Sequence, residues 1–137
     1  MKVLALDYGP ARTGVAVSDP TGTLARPLGV VARAGTADGL AELVRLIADE
    51  GAERVVVGLP LTLRGERGEQ ARATEAFVEV LRDKTRVPVE TFDERFTTDL
   101  AEQTAAGSGS RARSSTDARA AAHLLASYLA WSSAPTS

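Results

Sequence analysis

Three consecutive valines in Arg54-Val-Val-Val-Gly-Leu59, stopped by Pro60, constrain this chain more than any other feature. A strand apolar on both faces must be covered on both sides, the situation of a strand in a parallel sheet with helices above and below. Lys2-Val-Leu-Ala-Leu-Asp7 reads as another buried strand, and Gly14 to Ser18 as one that pairs with it in a hairpin. A strand from about Leu24 to Ala32 contains Pro27, which suits a sheet edge or a bulge. Val87 to Phe92, entered through Pro88, supplies the last strand.

Helical spacing fills the intervals. Thr36 is a suitable N-cap, Leu40, Leu43, Val44 and Ile47 recur on one face, and Gly51 stops the helix. After the polar loop from Thr62 to Gly68, Ala73, Ala76, Phe77, Val80 and Leu81 are expected to form the buried face of a second helix. A helix near Thr98 and Asp99 fades at Gly107, a flexible loop follows from Gly107 to Ser115, and a final helix runs from about Thr116 to Trp131. The expected architecture is α/β, a five-stranded mixed sheet flanked by helices. Residues 1–137 read as a single domain with a frayed tail at 132–137.

Right-handed crossovers place the carboxyl ends of the first, fourth and fifth strands on one sheet edge, where open α/β sheets bind ligands. The loops there begin at Asp7, Pro60 and Asp93. Asp7 precedes a turn containing Gly9, and Gly9 and Gly14 are expected to let backbone approach a phosphate; alternatively, Asp7 satisfies hairpin amides. Of Asp93 and Glu94, strand alternation lets only one face the side of Asp7, and a solvated turn paired with Arg95 is the competing role. Asp117, Ala121, Leu124, Leu125 and Tyr128 share one helix face, so Asp117 points toward the sheet or its edge. Its alternative is helix-terminal electrostatics with Ser114 in a capping box.

Carboxylates within about 5 Å of one another would each cost roughly 3 kcal/mol per pair at an effective dielectric near 20. Either one is protonated or a hard divalent cation lies between them, and oxygen ligands favour Mg²⁺ or Mn²⁺ over zinc. Two such ions about 4 Å apart would stabilise the attacking water and departing oxygen of phosphodiester hydrolysis. With no cysteine, and with His123 alone inside the last helix and one position off the Asp117 face, thiolate zinc sites and a Ser-His-Asp triad are excluded.

A net charge of −2 gives no global basic field, so a nucleic-acid partner needs a local patch. Arginine outnumbers lysine 14 to 2, and Arg12, Arg64, Arg67 and Arg95 fall on the loop edge, with Arg111 and Arg113 in the expected loop. Aromatic residues make up 4% of the chain, too few for a platform on which several bases could stack. No apolar run nears the roughly 20 residues that cross a bilayer. The amino terminus reads as a strand, so a cytoplasmic location without a membrane partner is expected.

The ordered segments Leu6-Asp7-Tyr-Gly9 with Arg12 and Gly14-Val-Ala16, Val57-Gly-Leu-Pro60 with Gly65, Pro88-Val89 with Asp93-Glu-Arg-Phe-Thr-Thr98, and Asp117 with Ala121-Ala122 and Leu124-Leu125 cover nearly the whole chain. This set resembles the YqgF family, also called RuvX-like Holliday junction resolvases, whose members have an RNase H-like fold. The resemblance implies a metal-dependent nuclease with Asp7, Glu94 and Asp117 as the acidic triad and metal ligands. It further implies processing of the pre-16S rRNA end during ribosome biogenesis, with the ribosomal precursor particle as a further partner; four-way DNA junctions are the older substrate proposal. The chain departs from the family where Ala11 replaces a common lysine, removing one phosphate contact. It departs from the related RuvC resolvases in having no acid between Val55 and Leu59, so Glu94 must supply that ligand. Two other classes stay open: an ATP-binding protein with a similar acid-glycine turn, disfavoured by a length that holds one copy of the fold, and a catalytically silent module. A monomer and a homodimer are both compatible; symmetric junction cleavage would need the dimer.

Overall fold

The computed structural model describes residues 1–97 and 110–133, apart from the side chains of 110–115 and 133. Five strands form one sheet in the order β3-β2-β1-β4-β5: β1 Val3–Asp7, β2 Arg12–Ser18, β3 Ala25–Ala32, β4 Arg54–Leu59 and β5 Val89–Asp93. The first three are antiparallel neighbours, whereas β1 pairs in parallel with β4 and β4 with β5. The sheet is mixed, and the carboxyl ends of β1, β4 and β5 share one edge, as the sequence requires.

Pro27 lies in the edge strand β3, where a missing N–H breaks no ladder. The register slips there: Val15 faces Gly29 and Ala16 faces Pro27, leaving Leu28 as the extra residue of a bulge. Helix α1, Ala37–Glu50, is capped by Thr36, whose side chain accepts from the Gly39 N–H, and ends at Gly51 with φ 67°, a left-handed conformation that glycine adopts without steric cost.

Helix α2 spans Glu69–Lys84, and its buried residues are Ala71, Thr74, Phe77, Val78 and Leu81. Ala73, Ala76 and Val80, expected on that face, are exposed. The helix carries two apolar stripes less than a turn apart, and contact with β4 and β5 selects the one containing Val78. Helix α3 spans Ser110–Ser133 and begins six positions before the expected start at Thr116. The segment Arg-Ala-Arg at 111–113 contains good helix formers and no glycine or proline, so it continues the helix instead of forming the C-terminal part of a loop. The helix expected near Thr98 and the residues 134–137 lie outside the described residues.

Strand alternation divides the core into two layers. On one face Leu4, Leu6, Val15, Val55 and Val57 pack with Leu43 and Ile47 of α1 and with Phe77 and Leu81 of α2. On the other, Val3, Ala5, Ala16, Val56 and Phe92 meet Ala121, Leu124, Leu125 and Tyr128 of α3. At the β5 side Phe92 stands 5.6 Å from Tyr128, 5.8 Å from Trp131 and 6.0 Å from Phe96 between ring centres. Arg54 Nη1 donates to the Tyr128 hydroxyl at 2.9 Å, and that hydroxyl donates to Glu90.

A candidate acidic site at the carboxyl edge of the sheet

Asp7 ends β1, and alternation from Val3 and Ala5 places its side chain on the α3 face. Its cross-strand neighbour on β2 is Gly14. Continuing the β1–β4 register one position beyond Leu6 opposite Val57 brings Gly58 beside it on the other strand. Asp7 is therefore flanked by glycine on both sides, and each glycine makes room for a different part of the site.

A Cβ at Gly14 would lie 2.0 Å from the Asp117 carbonyl oxygen and 2.6 Å from its carbon, so α3 rests its backbone directly on β2 at Asp117. Gly14 belongs to the strand and not to the phosphate-facing turn expected from the sequence: its missing side chain seats α3. A Cβ at Gly58 would lie 2.6 Å from Glu94 Oε1 and 3.0 Å from Leu124 Cδ2, so Glu94 folds across the end of β4. Gly9 closes the β1–β2 turn, where a Cβ would meet the Arg12 carbonyl at 2.6 Å. Gly58 was open to detection as the glycine inside a run of β-branched residues, a position that marks close approach of another group.

Asp93 and Glu94 separate as their positions dictate. Asp93 caps the 3-10 turn Glu94–Phe96, accepting from the Arg95 N–H at 2.9 Å and from Arg95 Nε and Nη2 at 2.9 and 2.6 Å on Oδ2. This pairing holds its carboxyl below the usual range. Glu94 instead shares a hydrogen bond with Asp7. Burial, then the charge of Asp7, then that bond push the Glu94 carboxyl up to about 7. Asp7 is also raised, first by burial, with the charge of Asp117 adding to the effect. Burial and mutual charge thus favour the neutral form of each carboxyl over the doubly ionised pair.

Asp117 lies well inside α3, seven residues beyond its start at Ser110 and outside the reach of the terminal dipole. Its carboxylate Oδ2 accepts from Arg12 Nε at 2.6 Å. Asp7, Glu94 and Asp117 thus converge on one edge, two in contact and the third engaged by a cation. Among the described residues no group of three acids or histidines is gathered as a ready metal cluster. The donor chemistry nevertheless fits a hard divalent cation: oxygen ligands only, two of them withdrawn from water and sharing charge, with glycine clearing both sides.

Among the arginines, Arg95 is held by Asp93 and reaches the Leu63 carbonyl at 3.4 Å, while Arg67 pairs with Glu75 at 3.6 Å. Arg64 is exposed in the loop after β4. The side chains of Arg111 and Arg113 lie outside the described residues. His123, half-buried in α3, is not among the groups that meet Asp7. Among the described residues no helix is long and apolar enough to cross a membrane.

This strand order, with α1 and α2 on one face of the sheet and α3 on the other, is an RNase H-like architecture, the fold of the RuvC structures. The chain superposes on "T. thermophilus RuvC in complex with Holliday junction substrate" with a TM-score of 0.58, covering 98% of both chains at 20% identity, a likeness of fold. A second "Thermus thermophilus RuvC structure" gives 0.57 over 96% of each at 19% identity. The chain belongs to the RuvX family, whose model, described as Holliday junction resolvase, matches residues 1–131. Relatives named "Putative pre-16S rRNA nuclease" include one from Chloroflexus aurantiacus, 42% identical over 93% of this chain and 85% of its own length. Another, from Desulforudis audaxviator, is 41% identical over 94% of each chain.

Proposed function

We propose that this chain is a divalent-metal-dependent nuclease that hydrolyses phosphodiester bonds of structured RNA, in processing of the pre-16S rRNA end in the cytoplasm. The observation that carries the reading is the contact of the Asp7 and Glu94 carboxyls, with Asp117 brought to the same edge by the seat at Gly14. The names of the relatives support the substrate. Asp7, Glu94 and Asp117 are the ligands in this reading. A bound Mg²⁺ or Mn²⁺ would supply Lewis acidity for the attacking water and charge compensation for the departing oxygen.

The chain itself prepares the site. Asp7 and Glu94, whose carboxyls burial shifts toward the neutral form, ionise to become a pair of anionic donors. The Gly9 turn lets backbone come close to the substrate strand, and exposed Arg64 offers a phosphate contact in the adjacent loop. Arg95, anchored on Asp93, presents its guanidinium beside Gly65 and stiffens the same loop.

A second reading, cleavage of four-way DNA junctions, is favoured by the description of the family model. One experiment separates them. Wild type and Asp7→Asn are incubated with Mn²⁺ and an equimolar mixture of a labelled four-way junction and a labelled pre-16S rRNA fragment, both read on one gel. Cleavage of the RNA label by wild type alone is expected. Cleavage of the junction alone would transfer the function to DNA, and cleavage by Asp7→Asn at the wild-type rate would remove Asp7 from the reaction.

A further inference from the structure

We propose that Arg12 is an exchangeable counter-ion, holding Asp117 in the metal-free chain and passing to a phosphate of the nucleic acid when Asp117 turns to the cation. Metal and nucleic acid then each bind more tightly in the presence of the other. The proposal rests on the reading of Asp7, Glu94 and Asp117 as cation ligands.

Four observations lead to it. First, the Arg12–Asp117 contact is made through Nε at 2.6 Å, and a guanidinium carries further N–H donors with which to engage another oxyanion. Second, both side chains are partly open to water, 39% exposed for Arg12 and 30% for Asp117, so exchanging this partner carries little desolvation cost. Third, the Asp117 backbone is fixed on Gly14 while its carboxylate is held by the Arg12 side chain, so rotation of the Asp117 side chain suffices to redirect it without moving α3. Fourth, with Asp117 committed to Arg12, no three acids among the described residues form a cluster, although Asp117 is close enough to Asp7 for its charge to act there.

A guanidinium and a divalent cation on the same carboxylate repel each other, so filling the site displaces Arg12. Arg12 opens β2 immediately after the turn at the carboxyl edge, where a backbone phosphate would approach, and its planar fork matches a phosphate in two-point contact. Linkage then makes the coupling reciprocal.

The test is calorimetric titration of Mn²⁺ into wild type, Arg12→Gln, Asp117→Asn and the double variant, without nucleic acid, each checked for folding by circular dichroism. Arg12→Gln is expected to bind Mn²⁺ about tenfold more tightly than wild type, within the range of ordinary coupling between sites. In the Asp117→Asn background the same change should have no effect. Binding of a pre-16S rRNA fragment, measured with and without Ca²⁺ as a divalent ion in place of Mn²⁺, should be strengthened by the ion in wild type and less so in Arg12→Gln. Should Arg12→Gln not fold, Arg12→Lys serves: it keeps the charge, and the ion should strengthen RNA binding less than in wild type. Equal or weaker Mn²⁺ binding by Arg12→Gln, or an unaltered gain in RNA binding in Arg12→Lys, would make Arg12 a fixed support of Asp117 and overturn the exchange. If Mn²⁺ binds wild type, is lost in Asp7→Asn and ignores Arg12, the exchange fails while the ligand assignment stands. If wild type takes up no Mn²⁺, both fall.

Discussion

Glu94 lies against Asp7, both half-buried, and there its carboxyl is raised from 4.5 to about 7. Between those values the folded chain holds a proton that the unfolded chain has released, so the folded state loses stability as pH rises through this window. Below about 4.5 both states are protonated and the penalty vanishes; above about 7 it is complete. The melting temperature in EDTA should therefore fall between about pH 5 and about pH 8, and Glu94→Gln should flatten that slope. Cleavage should move the opposite way, rising over the same interval as the pair becomes able to hold a cation. Loss of one carboxylate in Asp7→Asn should lower the rate at least on the order of 100-fold, the scale of removing one electrostatic group from a reacting centre, with the circular dichroism spectrum unchanged.

The two glycines beside Asp7 act on different elements, and their substitutions should separate accordingly. Gly14→Ala drives a methyl into the Asp117 carbonyl and must lift α3 from the sheet, so a loss of roughly 1–3 kcal/mol in urea unfolding is expected, with activity lost as well. Gly58→Ala meets the carboxyl end of Glu94, a side chain that can move, so activity should fall more than stability does. Thr36→Ala removes the α1 cap and should cost about 1 kcal/mol without touching cleavage. Much of this organisation was legible in the chain: the five strands, Thr36 and Gly51 as the bounds of α1, Pro27 at an edge, and the face of α3 from Asp117 to Tyr128 each follow from local period or turn chemistry. The rest depends on partners distant in sequence. Gly58 signals a close approach by its place among the valines, but neither it nor Gly14 says that a glutamate or a helix carbonyl is what lands there. The two stripes of α2 are equally regular until β4 and β5 choose between them. The serines and glycines before Thr116 concealed a helix already under way at Ser110.

For the molecule as a whole, a net charge of −2 means that nucleic-acid affinity must come from few contacts. Arg67 and Arg95 are already engaged with Glu75 and Asp93, which leaves exposed Arg64 as the side chain whose removal should alter the salt response most simply. In Arg64→Ala the slope of log affinity against log salt should become shallower by about 0.7 on single strands or about 0.9 on a duplex, measured by fluorescence anisotropy. Chelation with EDTA should abolish cleavage in the proposed reaction, and Mn²⁺ or Mg²⁺ should restore it. The aromatic group at β5 has a further consequence. Trp131 is the chain's one tryptophan, 61% exposed, with Phe92 at 5.8 Å and Tyr128 at 6.2 Å. Along α3 it stands about 21 Å from Asp117. Its emission is thus a built-in optical probe of the last helix: a red shift and loss of energy transfer from Tyr128 report that this end has come away from the sheet, while events confined to the acids leave the spectrum dark to them.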